Sequence, residues 1–332
     1  MASSEIAGVA EIEGWVQPAQ RALLPRLTSG VTTFARRKPL GFVCSIVIVF
    51  CVIIGDLVPE TINKITRTTG AGSPVPYLAD QIEKSSGVIY PYTDQDLRNR
   101  LKGPSSSHLL GTDSIGRDTL SRLLYGARVT VIVAFGAVFI SELIGSSVGI
   151  GTGYYRGWVD KFAYRVVDIF QALPGLVVLI SVLGIFGTGL WQLTIVIGVL
   201  QAPIHSRVIR GQAIQIMANP YIEAGRVIGA SDARLMWRYV LPNVFPLMIL
   251  GMTLRLGFIV LIEASLSFLG FGLPPPFPSW GQMLSLEGRQ YMASQPGLAI
   301  YPGIAIGLLV FSFNLFGDAL RDVLDPRLRG SS

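Results

Sequence analysis

Long apolar runs alternate with short polar segments along this chain. A membrane-spanning helix needs about 20 mostly apolar residues, and six runs meet that length. The first is Leu40–Val58, interrupted by Ser45 and Asp56. The second is Val129–Gly153, with one internal acid, Glu142. The third and fourth share residues 169–206, which contain no Asp, Glu, Lys or Arg, and turn at Gly184–Gly189. The fifth is Asn243–Ile262, with Arg255 inside it, and the sixth is Gly297–Gly317. The polar segments between them predict a leader over 1–38, a short loop over Tyr154–Asp168 and a basic interlude over 207–240. They also predict a loop rich in Pro and aromatics over 270–296 and a tail from Asp318. Residues 59–128 differ in kind, with Ser, Pro and Gly clusters and charges of both signs. They predict a small extramembrane insert, with strand and turn signals around Val75–Tyr77 and Gly87–Tyr92 and a helical pattern resuming at Asp118–Arg128.

Composition narrows the class. Of 332 residues, 50% are hydrophobic and 14% charged, and the mean hydropathy is +0.52. Soluble domains carry about a quarter charged residues. The fold class that follows is an all-α polytopic membrane protein; a soluble enzyme, a disulfide scaffold and a disordered chain are excluded. Cys44 and Cys51 lie seven residues apart in one helix, about 10 Å along its axis, too far for a disulfide. They read as small buried hydrophobes. His108 and His205 belong to no cluster with metal-ligand spacing, so no metal site and no catalytic residue is expected.

The net charge of +6 calls for no nucleic-acid partner, because the excess sits in loops. Segments 1–38, 154–168, 207–240 and 318–332 together hold sixteen Lys and Arg, whereas the short loops on the other side hold only Arg289. The positive-inside rule then places both termini in the cytoplasm. The 59–128 insert lies outside despite its basic residues, as long segments are allowed to. The leader has no short apolar region followed by a cleavage site and is not a signal peptide. In the second span Gly145, Gly149 and Gly153 recur every fourth residue, the spacing that lets helix backbones approach closely in a membrane.

Residues 219–242 carry the functional signal. Asn219 is placed to cap a helix opened by Pro220, with Tyr221 next and Glu223 in the first turn, where negative charge suits the helix dipole. Gly229 is placed to end that helix with positive φ, and Ser231, after Ala230, to cap a second short helix. Pro242 then opens the fifth span. The segment Glu223-Ala224-Gly225, three residues, Gly229, nine residues, Tyr239-Val240-Leu241-Pro242 resembles the EAA signature of ABC importer permeases. That signature reads Glu-Ala-Ala, three residues, Gly, nine residues, Ile-x-Leu-Pro. Gly225 and Tyr239 depart from it; Gly still allows close approach, and Tyr can pack on an interface. Further blocks resemble the C-type permease of the dipeptide/oligopeptide/nickel subfamily. They are 108–118 (HLLGTDSIGRD), 263–270 (EASLSFLG) continuing to Ser279-Trp280-Gly281, and 313–318 (FNLFGD) with Leu324-Asp325-Pro326.

The resemblance implies a type I ABC importer permease fold. The permease core would occupy 129–328, followed by a tail at 329–332. Residues 219–240 would form cytoplasmic coupling helices docked on the ATPase. The chain would be a transport subunit without catalysis, in the cytoplasmic (inner) membrane. Its partners would be a homologous sister permease, two ABC ATPase subunits that bind ATP and Mg, an extracytoplasmic solute-binding protein and the lipid. The chain itself would hold no cofactor, in keeping with the lack of any Gly-x-x-x-x-Gly-Lys-Ser/Thr sequence. The expected cargo is di- or oligopeptides, with nickel or another small solute as the alternative.

Charges at membrane depth face protein or water. Arg255 is expected to line the pathway or to pair with an acid such as Glu142. Glu263, eight residues on, is expected to serve gating or outer-surface structure, and His205 a structural or interfacial role. The loop 270–296, with Phe271, Phe277, Trp280 and Tyr291, reads either as a contact for the binding protein or as an aromatic interfacial anchor. The insert 59–107 reads as an external cap beneath that protein. An ion-coupled secondary transporter is the distant alternative, but Glu142 is the one acid near mid-span and no inverted repeat is visible.

Overall fold

The computed structural model describes residues 39–52 and 90–324. The leader, residues 53–58 of the predicted first span, the strand signal at Val75–Tyr77 and the end of the tail lie outside them. Helix α1 (Pro39–Val52) is the described part of the first predicted span. After a 3-10 turn at Leu97–Asn99 come α2 (Thr119–Tyr155), α3 (Gly157–Ala172), α4 (Gly175–Phe186) and α5 (Leu190–Met217). Two short helices, α6 (Pro220–Val227) and α7 (Asp232–Leu235), precede a π turn at Met236–Val240 and α8 (Leu241–Phe268). The chain then forms α9 (Trp280–Met283), a second π turn at Leu284–Gly288 and α10 (Gly297–Leu324). Among the described residues there is no strand, only an isolated bridge between Thr112 and Asp118. The second strand signal therefore fails where it can be seen, and Tyr90–Tyr92 is irregular.

Four helical runs are long and apolar enough to cross a membrane: α2, α5, Asp232–Phe268 and Gly297–Asp322. The pair α3–α4 qualifies as a fifth crossing, but it is bent by 89°. Three expectations change here. The predicted loop Tyr154–Asp168 is mostly the helix α3, whose charges fall on one side and whose apolar residues fall on the other, a pattern that run-length hydropathy misses. The third span is not one straight helix, because Pro174 lacks an amide hydrogen and drives Leu173 to an extended conformation (φ −92°, ψ 141°). The twelve residues of α4 rise only about 18 Å, short of a bilayer core of about 30 Å. The fourth span also runs further than its apolar stretch. It continues to Met217, because Arg207 and Arg210 emerge from the apolar zone without breaking the helix.

Lipid tails are as apolar as leucine, so helices associate in a membrane through close packing rather than through escape from water. The most extensive pairing joins α2 and α5. A Cβ at Gly149 would lie 2.6 Å from the Ser206 carbonyl oxygen, and one at Gly145 would lie 2.9 Å from that of Ala202. At Gly153 a Cβ would meet Ala213 Cβ at 2.8 Å. The four-residue glycine spacing is thus the track along which α5 lies on α2. Helix α8 packs across both, and α10 covers α8.

The start of α2 is fixed by the 108–118 block. Asp118 caps the helix, accepting from the Ser121 amide and hydroxyl at 2.7 Å each, and it meets His108 Nδ1 at 2.9 Å. Asp113 accepts from the amides of Ile115 and Arg117 at 2.9 Å and from Arg117 Nε at 2.5 Å. Arg117 Nη2 in turn donates to Glu287 Oε1 at 2.8 Å, tying this block to the second π turn. Burial raises the Glu287 carboxyl above the usual carboxylate range, the charge of Asp113 adds to the rise, and Arg122 and Arg117 oppose it. Trp280 donates through Nε1 to the Leu123 carbonyl at 2.7 Å and is only 3% exposed. It packs inside the protein and is not an interfacial anchor; Phe277 is the more exposed aromatic of that loop.

The glycine track makes a paired prediction. Gly149→Ala places a methyl group against backbone and should lose about 1–3 kcal/mol, read as a lower thermal unfolding temperature in detergent. Gly151→Ala, whose Cβ would have nothing within 4 Å, should unfold at or slightly above the native temperature.

Candidate functional site

The segment after α5 is held at both ends. Asn219 has the extended conformation of a cap (φ −79°, ψ 142°), but its side chain makes no bond to α6. Its Nδ2 donates instead to the carbonyls of Ile216 at 2.9 Å and Gln215 at 3.3 Å, so it closes the end of α5. The expected direction of capping is corrected: the amide group adds a second donor to carbonyls that already accept from the Ala218 and Asn219 amides, while Pro220 needs no partner for an N–H it lacks. Helix α6 ends at Gly229, with φ +81°. Its closing bonds run from the Ala230 amide to the Gly225 carbonyl and from the Gly229 amide to the Arg226 carbonyl. This is a Schellman cap, which requires a left-handed residue at that position.

Ser231 accepts from the Arg234 amide at 3.4 Å and opens α7. The expected second short helix is only four residues long and does not stop. It widens into the π turn, where the Leu241 amide bonds to the Met236 carbonyl, and passes directly into α8. A regular α-helix would press the Pro242 ring on the Arg238 carbonyl; the wider turn relieves that clash. The fifth span therefore begins at Asp232 rather than Asn243.

Inside the segment, Ile222 and Leu235 are fully buried. A Cβ at Gly225 would lie 2.8 Å from Leu235 Cδ2, so the Gly that departs from the signature is where α7 rests on α6. The other departure, Tyr239, stacks on Tyr221 with ring centroids 6.4 Å apart. Ile222 joins Ile150 of α2, Ile209, Ala213 and Ile216 of α5 and Val240 and Val244 of α7–α8 in one apolar cluster. The Tyr154 hydroxyl at the end of α2 meets Asp232 Oδ1 at 2.5 Å, and Arg226 lies over the Tyr154 ring. The outward surface presents Tyr221, Glu223, Ala224, Val227, Ile228 and Trp237, with Val227 86% and Ile228 79% exposed. Exposed apolar side chains grouped on a rigid tip mark a contact surface.

A polar layer crosses the same three helices deeper in the membrane. Arg255 of α8 donates through Nη2 to Glu142 Oε2 and through Nη1 to Ser141 Oγ at 2.8 Å. The other oxygen of Glu142, Oε1, meets His205 Nε2 of α5 at 2.7 Å and accepts from Ser146 Oγ at 2.7 Å. Glu142 and His205 are buried, and Arg255 is half-buried. The residues flanking this layer belong to two separate apolar clusters. One contains Val133, Ala137, Ile197, Leu256 and Val260, and the other is the Ile222 cluster. Of the two expectations for Arg255, the structure shows the pairing with Glu142; His205 as a second partner of that acid and Ser141 as a further partner of Arg255 were not expected. The available signal was that His205 is the only titratable side chain in 169–206.

Glu263 lies elsewhere. Its carboxyl is fully buried, accepting from Thr130 Oγ1 at 3.1 Å and from Ser267 Oγ at 2.7 Å, so it joins α8 to α2 and faces no open space. Among the described residues no group of three His, Cys, Asp or Glu side chains is placed to hold a metal. Helix α6 is thus tied to α5 through Asn219, to α8 through α7 and the unbroken π turn, and to α2 through Arg226 over the Tyr154 ring.

Removing the shared carboxylate tests the polar layer. Glu142→Ala leaves Arg255 and His205 facing each other without an acid and should lose about 3–5 kcal/mol, read by thermal unfolding in detergent. Glu142→Leu combined with Arg255→Leu should recover part of that loss.

Comparison with known proteins agrees with this architecture. The family described as binding-protein-dependent transport system inner membrane component matches residues 145–330. The chain is 40% identical over 238 residues to the glutathione transport system permease protein GsiD of Pectobacterium atrosepticum, covering 72% of this chain and 78% of that one. It is 40% identical over 245 residues to the protein of the same name from Escherichia coli O157:H7, covering 73% and 80%. Among solved structures it is similar to the MetNI methionine ABC transporter in an inward-facing conformation. The TM-score is 0.51 and the identity 22%, over 61% of this chain and 96% of that one, a likeness of fold alone.

Proposed function

This chain belongs to the family of binding-protein-dependent transport system inner membrane components and is the permease subunit of an ABC importer; we propose that its cargo is di- or oligopeptides, with peptides of the size of glutathione among them. The relatives that are 40% identical over almost three quarters of the chain bear glutathione in their names, and glutathione is a tripeptide. In the proposed assembly, a homologous sister permease completes the pathway and two ATPase subunits bind ATP and Mg. A solute-binding protein delivers cargo from the opposite face. Both termini and the 219–242 segment lie in the cytoplasm, as the distribution of basic residues supports.

The observation that carries the coupling role is the exposed tip of α6 on a base anchored to three long helices. Val227, Ile228 and Tyr221 supply apolar contact and Glu223 supplies charge at the helix N-terminal turn. Closure of the ATPases moves α6, and its three attachments move α2, α5 and α8 as one body. The pathway then opens alternately to either side. The Glu142–Arg255–His205 layer keeps those helices in register during the motion. Arg255, half-buried, is the most exposed member of the layer, and in this reading it is the one that lines the pathway.

The test is ATP-dependent uptake by the complete set of subunits in proteoliposomes. Labelled glutathione, di- to pentapeptides and nickel would be supplied in turn. Peptide uptake reduced at least about tenfold by Glu223→Arg, with the complex still assembled, is the expected result. Nickel uptake without peptide uptake would replace the cargo. Uptake that follows a proton gradient without ATPase subunits would overturn the reading.

A further inference from the structure

We propose that α3 is an anchor for anionic lipid, lying at the headgroups of the leaflet nearest the 207–242 segment. The inference needs only that the chain crosses a membrane and is independent of the cargo.

Depth comes first. Twenty residues from Leu190 along α5 cover about 30 Å, which reaches Ile209. The first charged residues of α5, Arg207 and Arg210, stand at that boundary, and α3 meets both of them. Asp168 pairs with Arg207, and Asp160 accepts from Arg210 Nε at 2.6 Å. Arg156 reaches further along α5, to the Ile214 carbonyl. Helix α3 thus lies where hydrocarbon gives way to headgroups. The 89° bend at Pro174 then turns the chain from α3 into the apolar α4.

The faces of α3 fit that position. At 100° per residue, Trp158, Phe162, Val166, Ile169, Val159 and Phe170 share one continuous arc. All six are exposed, Trp158 by 78% and Phe162 by 61%, and these two rings stack 5.7 Å apart. Val167 is the one buried side chain of the helix. Lys161 and Arg165 fall together on the edge of the apolar arc, both exposed and without an ionic partner among the described residues. The two acids of α3 are already matched by Arg207 and Arg210, so the outward charge of the helix is cationic. An apolar face flanked by Lys and Arg, with Trp at its border, is the pattern of a helix lying in a bilayer surface. Unmatched cations there select a phosphodiester headgroup with net negative charge. The anchor sits at the base of the coupling segment: α3 follows directly on Tyr154, which holds Asp232, and braces the last turns of α5 before Asn219.

The assembled complex would carry a photo-reactive residue, Phe162→p-benzoylphenylalanine. It would be placed in vesicles of phosphatidylcholine with phosphatidylglycerol and irradiated. The expected adducts are to lipid, with phosphatidylglycerol labelled in excess of its share. Lys161→Ala and Arg165→Ala should each reduce that excess about fivefold, following the contribution of one basic residue near an anionic surface. Both side chains are exposed, so the complex should still assemble. Cross-linking to a sister permease or an ATPase subunit would assign the face to protein and overturn the proposal. So would equal labelling of the two lipids, or an excess that persists in the double substitution Lys161→Ala/Arg165→Ala.

Discussion

Glu142 is the constraint around which the rest of the described structure is arranged. A carboxylate in the middle of a spanning helix is expensive unless it is matched. Its two oxygens are divided between helices, Oε2 to Arg255 of α8 and Oε1 to His205 of α5. For His205 to reach, α5 must lie almost on the backbone of α2. The absence of a side chain at Gly145, one turn from Glu142, makes room for the His205 ring itself. The glycine track and the ion cluster are thus one device. The glycines bring the helices close, and the charges fix which turn meets which.

That device divides the protein along the membrane normal. On one side of the layer lies an apolar cluster built for the bilayer, and on the other a smaller cluster that roots α6. The three helices that cross the layer do not end at it. α2 and the α7–α8 run are each 37 residues long, about 55 Å, well beyond the hydrocarbon thickness. They join the 219–242 segment to the membrane core without a break in the helix. The π turn before Pro242 is the point where a break was most to be expected, and there the helix widens rather than stops.

The two departures from the permease signature are compensated within the same segment. Gly225 receives Leu235, and Tyr239 stacks on Tyr221, so both the contact between the short helices and the foot of α8 are filled. The 108–118 block works in a similar way at the opposite end. Gly116, with φ +81° and the Asp96 carbonyl in the place of a Cβ, lets Asp113 turn back on the amides of Ile115 and Arg117. Arg117 is then free to reach Glu287, 170 residues away.

The sequence by itself determined the class of the protein, the approximate position of each apolar run, the glycine spacing and the identity of the 219–242 segment. Those features are local: they depend on run length, on period and on residues a few positions apart. It also offered Glu142 as one partner for Arg255, with pathway lining as the other reading, because a charge at that depth has few partners to choose from. The tertiary structure decided what depended on a second element. The amphipathic α3 was hidden in a nominal loop, since its apolar face has a helical period and is too diluted by charge to register as a run. The bend at Pro174, the reversed bonding of Asn219 and the merging of α7 into α8 were each settled by which carbonyl or ring lay one turn away. His205 became a partner of Glu142, and Trp280 a buried strut rather than a surface anchor, only when helices far apart in sequence were laid side by side.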